Sequence, residues 1–189
     1  MISTNEFKKG LYIEVDGVPF QIQEFQHVKP GKGNAFVRTR MKNLINANVL
    51  EKTFKSGDQV GEPDLETKRM QYLYKDGSGY QFLDLDSFEQ TLLEPAAVGD
   101  NKNYLIESLE IEVLYYKGRP IAVEIPNFVT MQITYCEPAI KGDTVSGGGK
   151  PATLSTGMVI SVPYHIKQGD WLKIDTRTGS YVEKVNDKK

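Results

Sequence analysis

The most conspicuous reactive group in this sequence is a primary amine. Lys32 lies in the run Lys29-Pro30-Gly31-Lys32-Gly33. Proline fixes φ and glycine admits positive φ, so the run predicts a tight, projecting turn with Lys32 at its apex. An exposed lysine in such a turn can hold a phosphate by its charge, or serve as the substrate of a lysine-modifying enzyme. Its neighbours share its sign. From Phe25 to Leu50 the chain carries Lys29, Lys32, Arg38, Arg40 and Lys42, with His27, and no acidic residue.

The element that must position these cations is a strand. In an extended run from Ala35 to Lys42 alternate side chains share a face. Arg38, Arg40 and Lys42 then lie with Phe36 on one side. Ala35, Val37, Thr39 and Met41 lie on the other, the expected core side. Three cations at ~6.5–7 Å spacing suit a sugar-phosphate backbone. Such contacts are largely independent of base sequence and weaken steeply with salt. The same alternation occurs in any half-exposed strand. The absence of nearby acids is what tilts the reading towards RNA.

Catalytic chemistry finds little support. His27 and His165 are far apart, and two histidines with one cysteine give no metal-ligand spacing. Cys136, in Ile-Thr-Tyr-Cys, reads as a buried structural thiol. Gly147-Gly148-Gly149-Lys150 is near a phosphate loop in composition, but Pro151 takes the Ser/Thr place and Thr144 that of the first glycine, so the pattern fails. Asp84 and Asp86 read as solvated acids on one strand face. No cofactor is implied.

Around these groups the chain is a succession of short strands and tight turns. Asp16-Gly17 joins Leu11–Val15 to Val18–Ile22, a strong hairpin signal because both turn residues tolerate positive φ. Further hairpins are predicted across residues 75–79, across Lys117-Gly118 and across residues 175–179. Residues 86–93 could form one or two helical turns. Many short strands at regular spacing point to barrels or sandwiches.

The length of 189 residues suits two ordinary domains or three small ones. Seams at Gly61-Glu62-Pro63-Asp64 and Ile125-Pro126-Asn127 divide the chain into 1–63, 64–128 and 129–189. These pieces carry nine basic and seven acidic, six and twelve, and eight and six side chains, respectively. An acidic middle between mildly basic ends disfavours wrapping by a polyanion, and is compatible with RNA contact at the ends. Ordinary solvated surfaces explain such modest values equally well. The net charge of -2 does not advertise a nucleic-acid binder. No apolar run approaches the ~18 residues of a membrane span. The N-terminus lacks the apolar core of a signal peptide, so a cytoplasmic location is expected.

Several of these segments together resemble bacterial elongation factor P over the whole chain. Lys29-Pro-Gly-Lys-Gly33, Ala35-Phe36-Val37-Arg38 and Val49-Leu-Glu-Lys-Thr-Phe-Lys55 are similar to the first domain of that family. Gly142-Asp143-Thr144, Lys150-Pro-Ala-Thr-Leu-Ser-Thr-Gly157, Val162-Pro163 and Gly169 are similar to its third. The resemblance implies an all-β fold of three small barrels, the first SH3-like (KOW-like) and the next two of the OB type, set in an L with the outline of tRNA. It implies a translation elongation factor, not an enzyme, that binds the 70S ribosome between the peptidyl and exit sites. It implies relief of stalling at consecutive prolines by positioning peptidyl-tRNA. Lys32 would reach the CCA end, and the cationic strand with Lys29, Pro30, Gly31 and Gly33 would hold the acceptor arm. Many members extend this lysine, for example by β-lysylation or an aminopentanol group. Rhamnosylation, found where arginine replaces the lysine, is excluded by Lys32. Gly142, Asp143, Thr144, Gly147 and Gly148 match a loop that reaches the mRNA at the exit-site codon. Lys32 and Gly142-Asp-Thr144 favour the factor over its elongation-factor-P-like paralogue. Arg177 and Tyr181 could add RNA or ribosomal-protein contacts, ordinary surface and core roles being as compatible. The rival reading is a general single-strand RNA-binding OB protein that stacks bases on aromatics. Its natural platform, Tyr72, Tyr74 and Tyr80, falls in the acidic piece.

Overall fold

The computed structural model describes residues 1–140, 142 and 148–186. The first segment contains β1 (Ile2–Ser3), β2 (Tyr12–Val15), β3 (Val18–Val28), β4 (Phe36–Asn43), β5 (Val49–Lys55) and β6 (Gln59–Val60). A four-stranded antiparallel sheet of order β2-β3-β4-β5 curls against the short β1-β6 pair. Phe7, Ile13, Phe20, Ile22, Val37, Met41, Phe54 and Val60 fill the space between. The Asp16-Gly17 turn has φ of 52° and 75°. That is the positive pair a two-residue hairpin needs for its twist to match the strands.

The middle segment contains β7 (Leu65–Lys75), β8 (Tyr80–Asp84), β9 (Gln90–Leu93), β10 (Glu110–Tyr116) and β11 (Arg119–Glu124), in the order β11-β10-β7-β8-β9. Met70, Tyr72, Tyr80, Phe82, Leu93 and Ile111 are buried there. A four-residue helix α1 (Pro95–Val98) and a 3-10 turn at Gly99–Tyr104 precede β10.

The final segment contains β12 (Phe128–Cys136), β13 (Lys150–Leu154), β14 (Val159–Val162), β15 (Trp171–Asp175) and β16 (Ser180–Val185), in the order β14-β13-β12-β15-β16. The first half of β12 pairs with β15 and its second half with β13, the register shifting between Ile133 and Tyr135. An extra residue of that kind bends a strand and lets one strand serve two parts of a curling sheet. Met131, Ile133, Leu154, Ile166, Leu172 and Ile174 form a fully buried centre.

The fold is therefore all-β, with every sheet curled, as the turn spacing predicts. Backbone packing divides the chain into two compact units, Met1–Lys68 with Val113–Ala122, and Arg69–Glu112 with Val123–Lys189. No helix among the described residues is long and apolar enough to cross a membrane.

Two expectations need correction. Residues 86–93 are not helical: they form a turn and then β9. The Asp84 carboxylate accepts hydrogen bonds from the backbone N–H of Asp86 (2.8 Å) and Ser87 (3.0 Å), and Phe88 has a φ of 58°. A side chain that captures those two amides offers the backbone an alternative to a helix. Asp84 itself is buried, not solvated.

Candidate nucleic-acid interface

β3 and β4 form one long hairpin, and Lys29–Ala35 is its connection. Lys29, Pro30, Gly31, Lys32 and Gly33 are all exposed. Gly33 has a φ of 113°, and a Cβ placed there would lie 3.8 Å from the Pro30 ring. Space is available, so the requirement for glycine is conformational: an L side chain is strained at that φ. The loop is anchored behind its tip, where the Ala35 carbonyl accepts from the Ser56 amide at 2.9 Å.

The predicted alternation in β4 holds. Val37, Thr39 and Met41 are buried, while Arg38, Arg40 and Lys42 are exposed. The register adds what spacing could not. Arg40 is flanked by Glu24 on β3 and Glu51 on β5. Residues directly opposite in an antiparallel sheet project to the same face with Cβ atoms about 5 Å apart. The acid-free window therefore ends, on both sides, at residues that fold back beside Arg40. Arg38 has Gln26 and Thr53 as its cross-strand neighbours, and Lys42 has Gln21 and Val49. These two keep an uncompensated charge at their own positions. Lys55, opposite Phe36 and exposed, joins the same face near the loop. Sequence spacing missed it because it belongs to another strand.

In the last segment Gly142 and Gly148 are exposed, whereas Asp143, Thr144 and Gly147 lie outside the described residues. Lys150 is buried, and its ammonium donates to the Glu137 carbonyl at 2.7 Å. It thereby ties the start of β13 to the end of β12, and is not available as a phosphate-loop lysine. Cys136 is buried beside it, as expected. Arg177 is exposed and donates through Nε and Nη2 to the two oxygens of Asp175, at 3.1 and 2.9 Å. Those bonds hold the Asp175 carboxyl below its ordinary pKa and raise that of Arg177. Tyr181 is half-buried and packs against the core.

The stacking platform of the rival reading is largely absent from the surface. Tyr72 and Tyr80 are buried, burial being the main cause that raises the Tyr72 phenol, and only Tyr74 of the three is exposed. Among the described residues there is no cluster of three or more His, Cys, Asp or Glu side chains suited to a metal.

Comparison with known proteins bears on what this geometry is for. Residues 3–60 match the elongation factor P KOW-like domain, 65–123 the elongation factor P OB domain, and 129–184 the elongation factor P C-terminal domain. Elongation factor P of Pelotomaculum thermopropionicum is 50% identical over 98% of this chain and 100% of its own. That of Helicobacter hepaticus is 48% identical over 97% and 98%. Among solved structures, eukaryotic translation initiation factor 5A from Methanococcus jannaschii superposes with a TM-score of 0.55 at 25% identity, covering 65% of this chain and 92% of that one. Identity near one half across the whole length, with matching domains in the same order, leads to one conclusion: this chain belongs to the elongation factor P family and has the role of a translation elongation factor.

Proposed function

We propose that the protein acts on the ribosome by positioning peptidyl-tRNA between the peptidyl and exit sites, and so relieves stalling at consecutive prolines. The observation that carries this reading is the exposed Lys32 at the tip of the β3–β4 hairpin, held out by a glycine at a φ of 113°. Lys32, or an extended form of it made by a modifying enzyme, makes charge-assisted contacts to the CCA end. Arg38, Lys42 and Lys29 lie along the acceptor arm. The protein supplies no reacting group. It lowers the disorder of a poorly reacting substrate, which is catalysis through orientation, and the chemistry stays with the ribosome. The Gly142–Gly148 segment reaches the mRNA at the exit-site codon, and the protein works in the cytoplasm.

The test is a translation extract depleted of its own factor. Adding the protein shortens synthesis of a triple-proline reporter and leaves a proline-free control unchanged. Equal effects on both reporters, or none on either, overturn the reading. Intact-mass measurement on protein from its native host, with mapping of residues 29–38, shows added mass on Lys32. Loss of that mass in a Lys32→Arg protein confirms its place.

The cationic face gives an internal comparison. For ribosome binding, Arg38→Ala lowers the slope of log affinity against log salt by about one, as expected for a lost phosphate contact. Arg40→Ala lowers it by a small fraction of that, because Glu24 and Glu51 already oppose its charge. Titrations at several salt concentrations check this, and equal slopes for the two variants count against it.

A further inference from the structure

A second group of residues meets at the opposite end of β3 from the lysine loop. The Tyr116 hydroxyl, at the tip of the β10–β11 hairpin, lies 2.6 Å from a Glu14 carboxylate oxygen and 3.0 Å from the Gly17 carbonyl. Its single hydrogen faces two acceptors. Lys117 approaches the same Glu14 oxygen at 3.6 Å, with its ammonium 4.9 Å from the centre of the Tyr116 ring. The Tyr116 hydroxyl first, and the Glu14 charge after it, hold the Lys117 pKa above its ordinary value against partial desolvation. Glu14 is fixed from behind as well. Its amide and carbonyl exchange hydrogen bonds of 2.8 and 2.9 Å with Gly61. The Lys117 amide donates to the Asp64 carbonyl at 3.0 Å. Two positive-φ turns, Asp16-Gly17 and Lys117-Gly118, thus meet through one carboxylate, and the connecting stretch from Gly61 to Asp64 is tied down at both ends.

A tyrosine that is buried, hydrogen-bonded to a carboxylate and covered by a cation is more than the hairpin needs in order to turn. β3 explains why the contact has consequences. It begins at Val18, directly after the Asp16-Gly17 turn, and ends at Val28, directly before Lys29. Its eleven residues span at most about 35 Å at ~3.3 Å each, with a bend where the register shifts between Ile22 and Glu24. Rocking of ~10° at one end would sweep the other through ~6 Å, about the full reach of a lysine side chain.

We propose that Glu14, Tyr116 and Lys117 form a clasp that aims the Lys32 loop, which makes them positioning residues for the activity. The inference rests on the positional function proposed above. Hydrogen bonds to charged groups carry more free energy than neutral ones, so the joint is stiff although few residues build it. Reach and aim are then separate properties of the molecule: the loop and its lysine supply reach, and the clasp supplies aim.

The experiment uses the full chain with Tyr116→Phe, which keeps the ring and removes the hydroxyl. Lys117→Met, at an exposed position, loosens the same contact and guards against a first variant that fails to fold. Residual dipolar couplings of the unchanged protein fit one alignment tensor for the first barrel and for Val113–Ala122 together, and each variant needs two. In the triple-proline assay the maximal rate of the variants falls about tenfold, as expected when the contact that orients a reactant is displaced, while the half-saturating concentration changes little. Retention of a single tensor, or a maximal rate equal to that of the unchanged protein, overturns the proposal and leaves the clasp a purely structural contact. Should the unchanged protein fail to relieve stalling, the positional function falls, and the tensor comparison still decides whether the clasp stiffens the joint.

Discussion

Lys32→Ala protein leaves a triple-proline reporter as stalled as it is with no added factor. The size of the loss follows from geometry. The loop is exposed, Pro30 restrains its backbone, Gly33 supplies its positive φ, and Lys32 is the side chain carried at the apex. Removing it takes away the cation at the apex of the loop, and Lys29 at the loop's base does not replace it. A shift of about 1 Å in a positioned reactant can cost two orders of magnitude in rate, so complete loss of the contact abolishes the stimulation. The fold is untouched, because an exposed loop side chain contributes almost nothing to stability. Equal melting temperatures for the two proteins therefore accompany the lost activity. Lys32→Arg keeps the charge but removes the amine that an enzyme can extend. A bare lysine reaches only about 6 Å from its Cα. Activity of Lys32→Arg near that of Lys32→Ala assigns the effect to the extension, and activity near that of the unmodified lysine protein assigns it to charge. Full stimulation by Lys32→Ala would remove the basis of the proposed mechanism.

The second large effect is on stability. Gly149→Ala destabilises the protein by about 1–3 kcal/mol, the usual cost of forcing atoms into a filled space. A Cβ at Gly149 would stand 2.6 Å from Ser161 Oγ and 2.7 Å from the Val162 carbonyl oxygen. The hydroxyl can rotate away, but the carbonyl belongs to β14, where Val162 pairs with Lys150. Relief requires that the β13–β14 ladder move, and with it the buried Lys150 whose ammonium holds the Glu137 carbonyl. Gly31→Ala is the control. A Cβ there meets nothing within 4 Å and φ is not in the positive range, so stability stays the same. Denaturant unfolding of the two variants checks the difference, and a Gly149→Ala protein as stable as the unchanged one contradicts the packing described here.

Local signals account for what the sequence shows unaided. Asp16-Gly17 and Lys117-Gly118 announce their hairpins because positive φ is a property of two residues and needs no tertiary information. The outward Arg38, Arg40 and Lys42 follow from the period of an extended chain. Other features depend on which strands are neighbours. That Glu24 and Glu51 close on Arg40 requires the register of three strands, including the shift between Ile22 and Glu24 on β3. The clasp joins residues about a hundred positions apart, Glu14 and Tyr116, and no spacing rule reaches that far. The misread helix at 86–93 is different, since a local signal was present. Asp84 followed by two free amides is a turn signature, and Pro95 marks the first position of the helix that does form, where a missing N–H does no harm.

The carboxylates beside Arg40 bear on how long the factor stays bound. Under the function proposed above, the factor acts once on each stalled complex and must then leave. Each phosphate contact a protein gives up weakens its binding to a nucleic acid, and affinity differences within one interface fall mostly in the dissociation rate. By setting Glu24 and Glu51 opposite the central cation of the strand, the sheet limits its own grip. A face with all of its cations free would hold each ribosome longer and serve fewer of them.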